Sequence, residues 1–219
     1  MLPDWIDSLE RRFEGWAVPN LGGMIVAFNA MVWLLTLFKP EFPALLTLDP
    51  GAILHGQVWR AFTFLFIPPS SSPIALFFWL YLLYTVAAAL EDEWGEFRFN
   101  LYYGIGAGAT VAAALLLGAG LPNAPLNATL FLAFAALFPE VELLLFLILP
   151  VKVRWLGWTV WAAMAWGILA GGWPMRLALL AALSNYAAFF GAHHREQFRL
   201  WRQVRRNRRR VRQGPKDRT

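Results

Sequence analysis

The sequence predicts an all-α polytopic membrane protein, a bundle of six transmembrane helices, on three observations. Apolar residues make up 58% of the 219 residues and charged ones only 15%, with mean hydropathy +0.48. An ordinary soluble domain is roughly 45–50% apolar and about 25% charged. Apolar runs near membrane-crossing length recur along the chain, and about 20 helical residues at 1.5 Å each cover a ~30 Å hydrocarbon core. Acidic, proline-rich or glycine-rich breaks separate these runs. Such a composition excludes a disordered chain and a soluble enzyme with a charged surface. The chain has no cysteine, which excludes disulfide frameworks, thiolate metal sites and cysteine nucleophiles.

Taken in order, residues 4–16 place Trp5, Ile6, Leu9, Phe13 and Trp16 on one helical face, with Asp4 as N-cap. This predicts an amphipathic helix lying at the interface, in an N-terminal segment 1–20. Asp4, Asp7, Glu10 and Glu14 stand where a basic n-region and apolar h-region would be, so no cleavable signal peptide is expected. The first span is 21–38, ended by Lys39-Pro40. Residues 39–73 are too apolar for an ordinary loop and too broken for a span, and read as a structured loop partly embedded in the interface.

The second span is 74–90, stopped by the acidic turn that begins at Glu91, and the third is 99–119. In the third, Gly104 and Gly108 supply small surfaces for close helix approach. The fourth, 128–138, is only 11 residues. It spans about 17 Å, so it is expected at the centre, walled in by longer helices. After Pro139-Glu140 comes a second apolar stretch, and 126–151 reads either as a short span plus that stretch or as one bent helix. Spans 155–170 and 175–191 complete the six-span domain, 21–191, before a basic tail at 192–219.

Charge sets the expected orientation. Residues 1–192 carry a net −4, whereas 193–219 carry +9. With six spans, 16 Lys/Arg fall on the side of the termini and 3 on the other. The positive-inside bias therefore puts both ends in the cytoplasm, and the localisation expected is a bacterial plasma membrane.

Three local signatures give the chain its likeness. GQVWRAFTFLF (56–66) carries Trp59-Arg60, LEDEWGEFRFNLYY (90–103) carries Glu91 and Gly95 in a Glu-x-x-x-Gly turn, and LFPEVELLLFLILPVKVRWLGW (137–158) follows the short fourth span. In this order, over roughly residues 21–191, the chain resembles the rhomboid superfamily. The resemblance implies a six-span rhomboid fold in which Trp59, Arg60, Glu91 and Gly95 are structural. It also implies where catalysis would sit. Active members use a serine in Gly-x-Ser-Gly at the start of the fourth span and a histidine on the sixth, as nucleophile and general base.

Here the fourth span opens PLNATLFL (125–132), and its only hydroxyl is Thr129. The histidine position falls at or near Ser184 or Asn185, and neither can take up a proton near neutral pH. The loop histidine and the second-span asparagine that assist the oxyanion are also missing. No catalytic residue, cofactor or metal is therefore expected. His55 lies on the outer side and His193 and His194 on the inner, so no dyad or shared metal site forms between them.

Polar residues within spans usually face the bundle interior, here Asn29, Thr85, Asn127, Thr129, Ser184 and Asn185. Asn127, Thr129, Ser184 and Asn185 read either as an interhelical hydrogen bond in place of a catalytic pair, or as a polar cavity for a client's polar transmembrane residue. The tail, with Arg205, Arg206, Arg208, Arg209 and Arg210 among its arginines, is expected on anionic lipid headgroups at about 1 kcal/mol per cation. Nucleic acid ranks behind lipid. The function expected is a catalytically inactive rhomboid-like protein that binds transmembrane segments of clients, Derlin-like, in trafficking or quality control. The alternatives are a divergent rhomboid intramembrane serine protease and a scaffold that recruits a partner through its tail.

Overall fold

Helices dominate because long unbroken apolar runs must satisfy their backbone internally. The computed structural model describes residues 3–145 and 149–191. In chain order the helices are α1 (Asp4–Phe13), α2 (Leu21–Phe38), α3 (Pro50–Leu54), α4 (Arg60–Thr63), α5 (Pro73–Trp94), α6 (Glu96–Leu117), α7 (Ala124–Leu137), α8 (Val153–Ala170) and α9 (173–191). A hairpin of β1 (Glu142–Leu145) and β2 (Leu149–Lys152) lies between α7 and α8. Among the described residues three helices, α2, α5 and α6, are long and apolar enough to cross a membrane. This is a membrane protein.

The shortest of the apolar bundle helices, α7, packs against α5, α6 and α8. Its Leu126, Leu130, Leu132 and Ala133 are almost fully buried. The core continues into an aromatic cluster of Trp94, Tyr102 and Phe189, with ring centroids 5.1–5.3 Å apart. These rings join the end of α5 to α6 and α9.

Helix α1 begins one residue earlier than expected. Pro3 takes the N-cap position and Asp4 is the first helical residue, so Asp4 is not the cap. Of its apolar face only Ile6 is fully buried, while Trp16 is 84% exposed. Arg98, at the start of α6, donates to Glu10 at 2.7 Å and to Asp7 at 3.1 Å. Asn100 then pairs its side-chain amide with both backbone groups of Val18, each at 3.0 Å. The segment is thus tied to the bundle by charge and hydrogen bonds as well as by its apolar face.

The reading of 126–151 as one bent helix needs correction, and the mostly helical fold carries one short β hairpin. Helix α7 ends at Leu137, and the apolar stretch after it is the antiparallel hairpin, with Glu142 opposite Lys152 and Leu143 opposite Val151. Pro139 has no N–H to continue the helix. Val153 N donates to Val141 O at 2.8 Å, and Lys152 and Arg154 each donate to the Glu140 carboxylate at 2.9 Å. Those cations hold the Glu140 carboxyl below its ordinary value of 4.5, the Lys152 hydrogen bond first among the causes.

Two further expectations change. A Cβ at Gly104 or Gly108 would meet nothing within 4 Å, whereas one at Gly106 would come within 2.6 Å of Asn185 Nδ2. The close helix approach in α6 is therefore at Gly106. Thr85 is only half-buried, and its hydroxyl donates back to Tyr81 O of its own helix at 2.9 Å.

Candidate functional site

The loop after α2 is organised by one cation. Arg60, 8% exposed, donates from Nη1 to Ala44 O (2.9 Å), Thr47 O (3.1 Å) and Thr47 Oγ1 (3.3 Å), and from Nε to Gln57 Oε1 (2.7 Å). A planar guanidinium suits this because its donors form a rigid fork. Neighbouring Trp59 is 51% exposed, as an interface anchor would be. His55 Nδ1 lies 2.7 Å from Gly51 O in the same loop. His193 and His194 lie outside the described residues.

The loop is also fastened from inside. Asn123, just before α7, donates to Leu65 O (3.1 Å) and Ile67 O (2.9 Å). Asn29 of α2 donates to its own Ile25 O (2.8 Å) and to Leu65 O (3.3 Å). Asn29 Oδ1 is buried without a partner among the described residues.

At the α5–α6 turn, Gly95 has φ +82° and ψ 160°, a region essentially reserved for glycine. Its N–H donates to Glu91 O at 2.8 Å, and Glu91 Oε1 accepts from Gly22 N of α2 at 3.0 Å. Glu91 and Gly95 thus link α2, α5 and α6.

Two of the four candidate residues near the bundle centre meet directly. Asn185 Nδ2 of α9 donates to Thr129 Oγ1 of α7 at 3.0 Å, and both side chains are fully buried. The Thr129 hydroxyl donates to Leu126 O at 2.7 Å, and Asn185 Oδ1 accepts from Tyr186 N at 2.6 Å. Tyr102 OH reaches Thr129 O at 2.7 Å. Each polar atom here that needs a partner most has one, which is the condition for a stable buried network. Chemically, the pair holds two helices together; neither member is a base.

The other two lie apart. Ser184 is half-buried and donates to Ala181 O on its own helix at 2.6 Å. Asn127 is half-buried; its Oδ1 accepts from Tyr103 OH at 3.4 Å, and its amide N–H donors have no partner among the described residues. Asn127 lines a cleft of about 320 Å³ between α5, α7 and α8, with Trp79, Leu83, Phe131, Leu156 and Thr159.

Tyr102, Gly106 and Asn123 escaped the sequence reading. Tyr102 and Gly106 lie four apart on α6, one helical face, and a hydroxyl in mid-span was a readable signal. Arg205, Arg206, Arg208, Arg209 and Arg210 lie outside the described residues. Among the described residues no group of three His, Cys, Asp or Glu is placed to hold a metal ion. Compared with known proteins, the chain matches no family model and no curated protein sequence.

Proposed function

We propose that this chain is a six-span, rhomboid-like membrane protein without catalytic activity that binds transmembrane segments of client proteins. On this reading α7, α8 and α9 also cross the membrane. The membrane is the bacterial plasma membrane, and both termini and the basic tail lie on its cytoplasmic, anionic face.

The observation that carries client binding is the α5–α7–α8 cleft. It is apolar except for a few polar groups, and Asn127 offers it amide N–H donors that have no partner among the described residues. In lipid, an unpaired polar group is costly. A client helix with a polar side chain or an exposed carbonyl would relieve that cost on both partners. The Thr129–Asn185 bond supports the non-catalytic part, because at the positions implied by the resemblance two satisfied side chains cross-link helices instead of moving protons.

A photoreactive residue replacing Leu83 or Thr159 tests this in native membranes. The expected adducts map to apolar segments of about 20 residues in other proteins, and Asn127→Leu lowers their yield severalfold. Adducts that ignore Asn127→Leu, or none at all, refute client binding. In the same membranes a fluorophosphonate probe is expected to leave the protein unlabelled. Labelling abolished by Ser184→Ala would restore the protease alternative.

A further inference from the structure

A larger cleft, about 990 Å³, opens between α7, α8 and α9. Its lining includes Ala135 and Ala136 of α7, Trp158 and Trp161 of α8, and Tyr186 and Phe190 of α9. The charged residues that line it are Glu93, Arg98 and Arg154. All three belong to one end of the bundle. Glu93 is in the last turn of α5, Arg98 in the first turn of α6 and Arg154 in the first turn of α8.

The cleft has a limited height. On α8 its lining runs from Arg154 to Ala165, a rise of about 16 Å. Just beyond, a Cβ on Gly167 would lie 2.6 Å from Leu179 Cδ1 of α9, so the two helices close together there. Half of a ~30 Å hydrocarbon core is about 15 Å. The acyl chains of one leaflet match that height.

The charges select the headgroup. Arg98 is already neutralised by Asp7 and Glu10. Arg154 gives one N–H to Glu140 at 2.9 Å, and a guanidinium carries five. Glu93 is exposed and has no ion pair or hydrogen bond among the described residues. A phosphate suits the remaining Arg154 donors and an ammonium suits the Glu93 carboxylate. A headgroup with phosphate alone would leave Glu93 facing like charge. We infer that the cleft holds one phospholipid with an ammonium-bearing headgroup, phosphatidylethanolamine, of the leaflet on the α5–α6 turn side. This inference rests on α7, α8 and α9 crossing the membrane as proposed above.

Native mass spectrometry of the full chain tests it, with phosphatidylethanolamine and phosphatidylglycerol of identical acyl chains supplied together. One phosphatidylethanolamine is expected to stay bound, preferred about fivefold, the ratio that a partly exposed ion pair of about 1 kcal/mol supports. Glu93→Gln should abolish the preference while leaving lipid bound. Ala165→Trp, which fills the cleft, should abolish retention of both lipids. Equal retention by the unaltered chain, or undiminished retention by a folded Ala165→Trp variant, overturns the inference. Because the chain has no cysteine, Arg154→Cys and Trp173→Cys report sidedness with an impermeant maleimide. Labelling of both from one side refutes the six-span reading and this inference together. Labelling from opposite sides without lipid preference refutes this inference alone.

Discussion

Replacing Arg60 with alanine removes a side chain that cross-links several points of the loop after α2. Four hydrogen bonds go at once, to Ala44 O, Thr47 O, Thr47 Oγ1 and Gln57 Oε1. The cost is less than their sum. Ala44 O keeps the Thr47 hydroxyl as a donor at 3.0 Å, and Ala44 and Thr47 are exposed enough for water or headgroups to replace part of the rest. Thr47 O loses a charged donor, worth about 1.5–3 kcal/mol, and the buried stem of Arg60 loses its packing. The net expectation is about 2 kcal/mol. For a chain of this size that corresponds to an apparent melting temperature lower by about 4–8 °C. The chain's 12 tryptophans allow the transition to be followed by intrinsic fluorescence in detergent. Arg60→Lys should recover a minor part, since an ammonium cannot reproduce the fork. An unchanged melting temperature for Arg60→Ala, with the loop still resistant to protease, would refute the assignment of Arg60 as the organiser of this loop.

Gly95→Ala forces a Cβ into φ +82°, ψ 160° and should cost about 1–3 kcal/mol, seen as a lower melting temperature; an unaffected variant would mean that the α5–α6 turn is not held in this conformation. Glu140 supplies a pH dependence whose sign follows from its depressed pKa. Its bonds to Lys152 and Arg154 are fully present above pH 4.5, its ordinary value, and are lost as the pH falls through the lower folded-state value. A carboxyl-selective NMR titration should place the Glu140 midpoint below 4.5, and a midpoint at or above that value would dissolve the ion pairs from the hairpin's account.

Where the sequence carried a long, one-dimensional signal, it was sufficient. Runs 21–38, 74–90 and 99–119 became α2, α5 and α6, because 17 or more largely apolar residues without a proline leave the backbone no better partner than itself. Punctuation was equally legible. Lys39-Pro40 ended α2, and Gly95 marked the α5–α6 turn with a positive φ that other side chains avoid.

The apolar stretch after Pro139 was not legible. A run that is apolar throughout has neither a 3.6-residue nor a two-residue phase, so periodicity cannot choose between helix and strand. The choice fell to backbone bonds such as Val153 N to Val141 O and to ion pairs on Glu140, all of which need the chain already folded back. The central pair shows the same limit. Thr129 and Asn185 lie 56 positions apart and meet only because α7 and α9 share a depth and face each other, with Gly106 of α6 leaving room for the amide. Ser184, one residue earlier, turns to its own helix and misses the pair, because successive residues on a helix point about 100° apart. Composition determined that this chain lives in lipid and which segments are helical there. Rotation and depth, set by packing, decided which polar side chains pair and which are left facing a cleft.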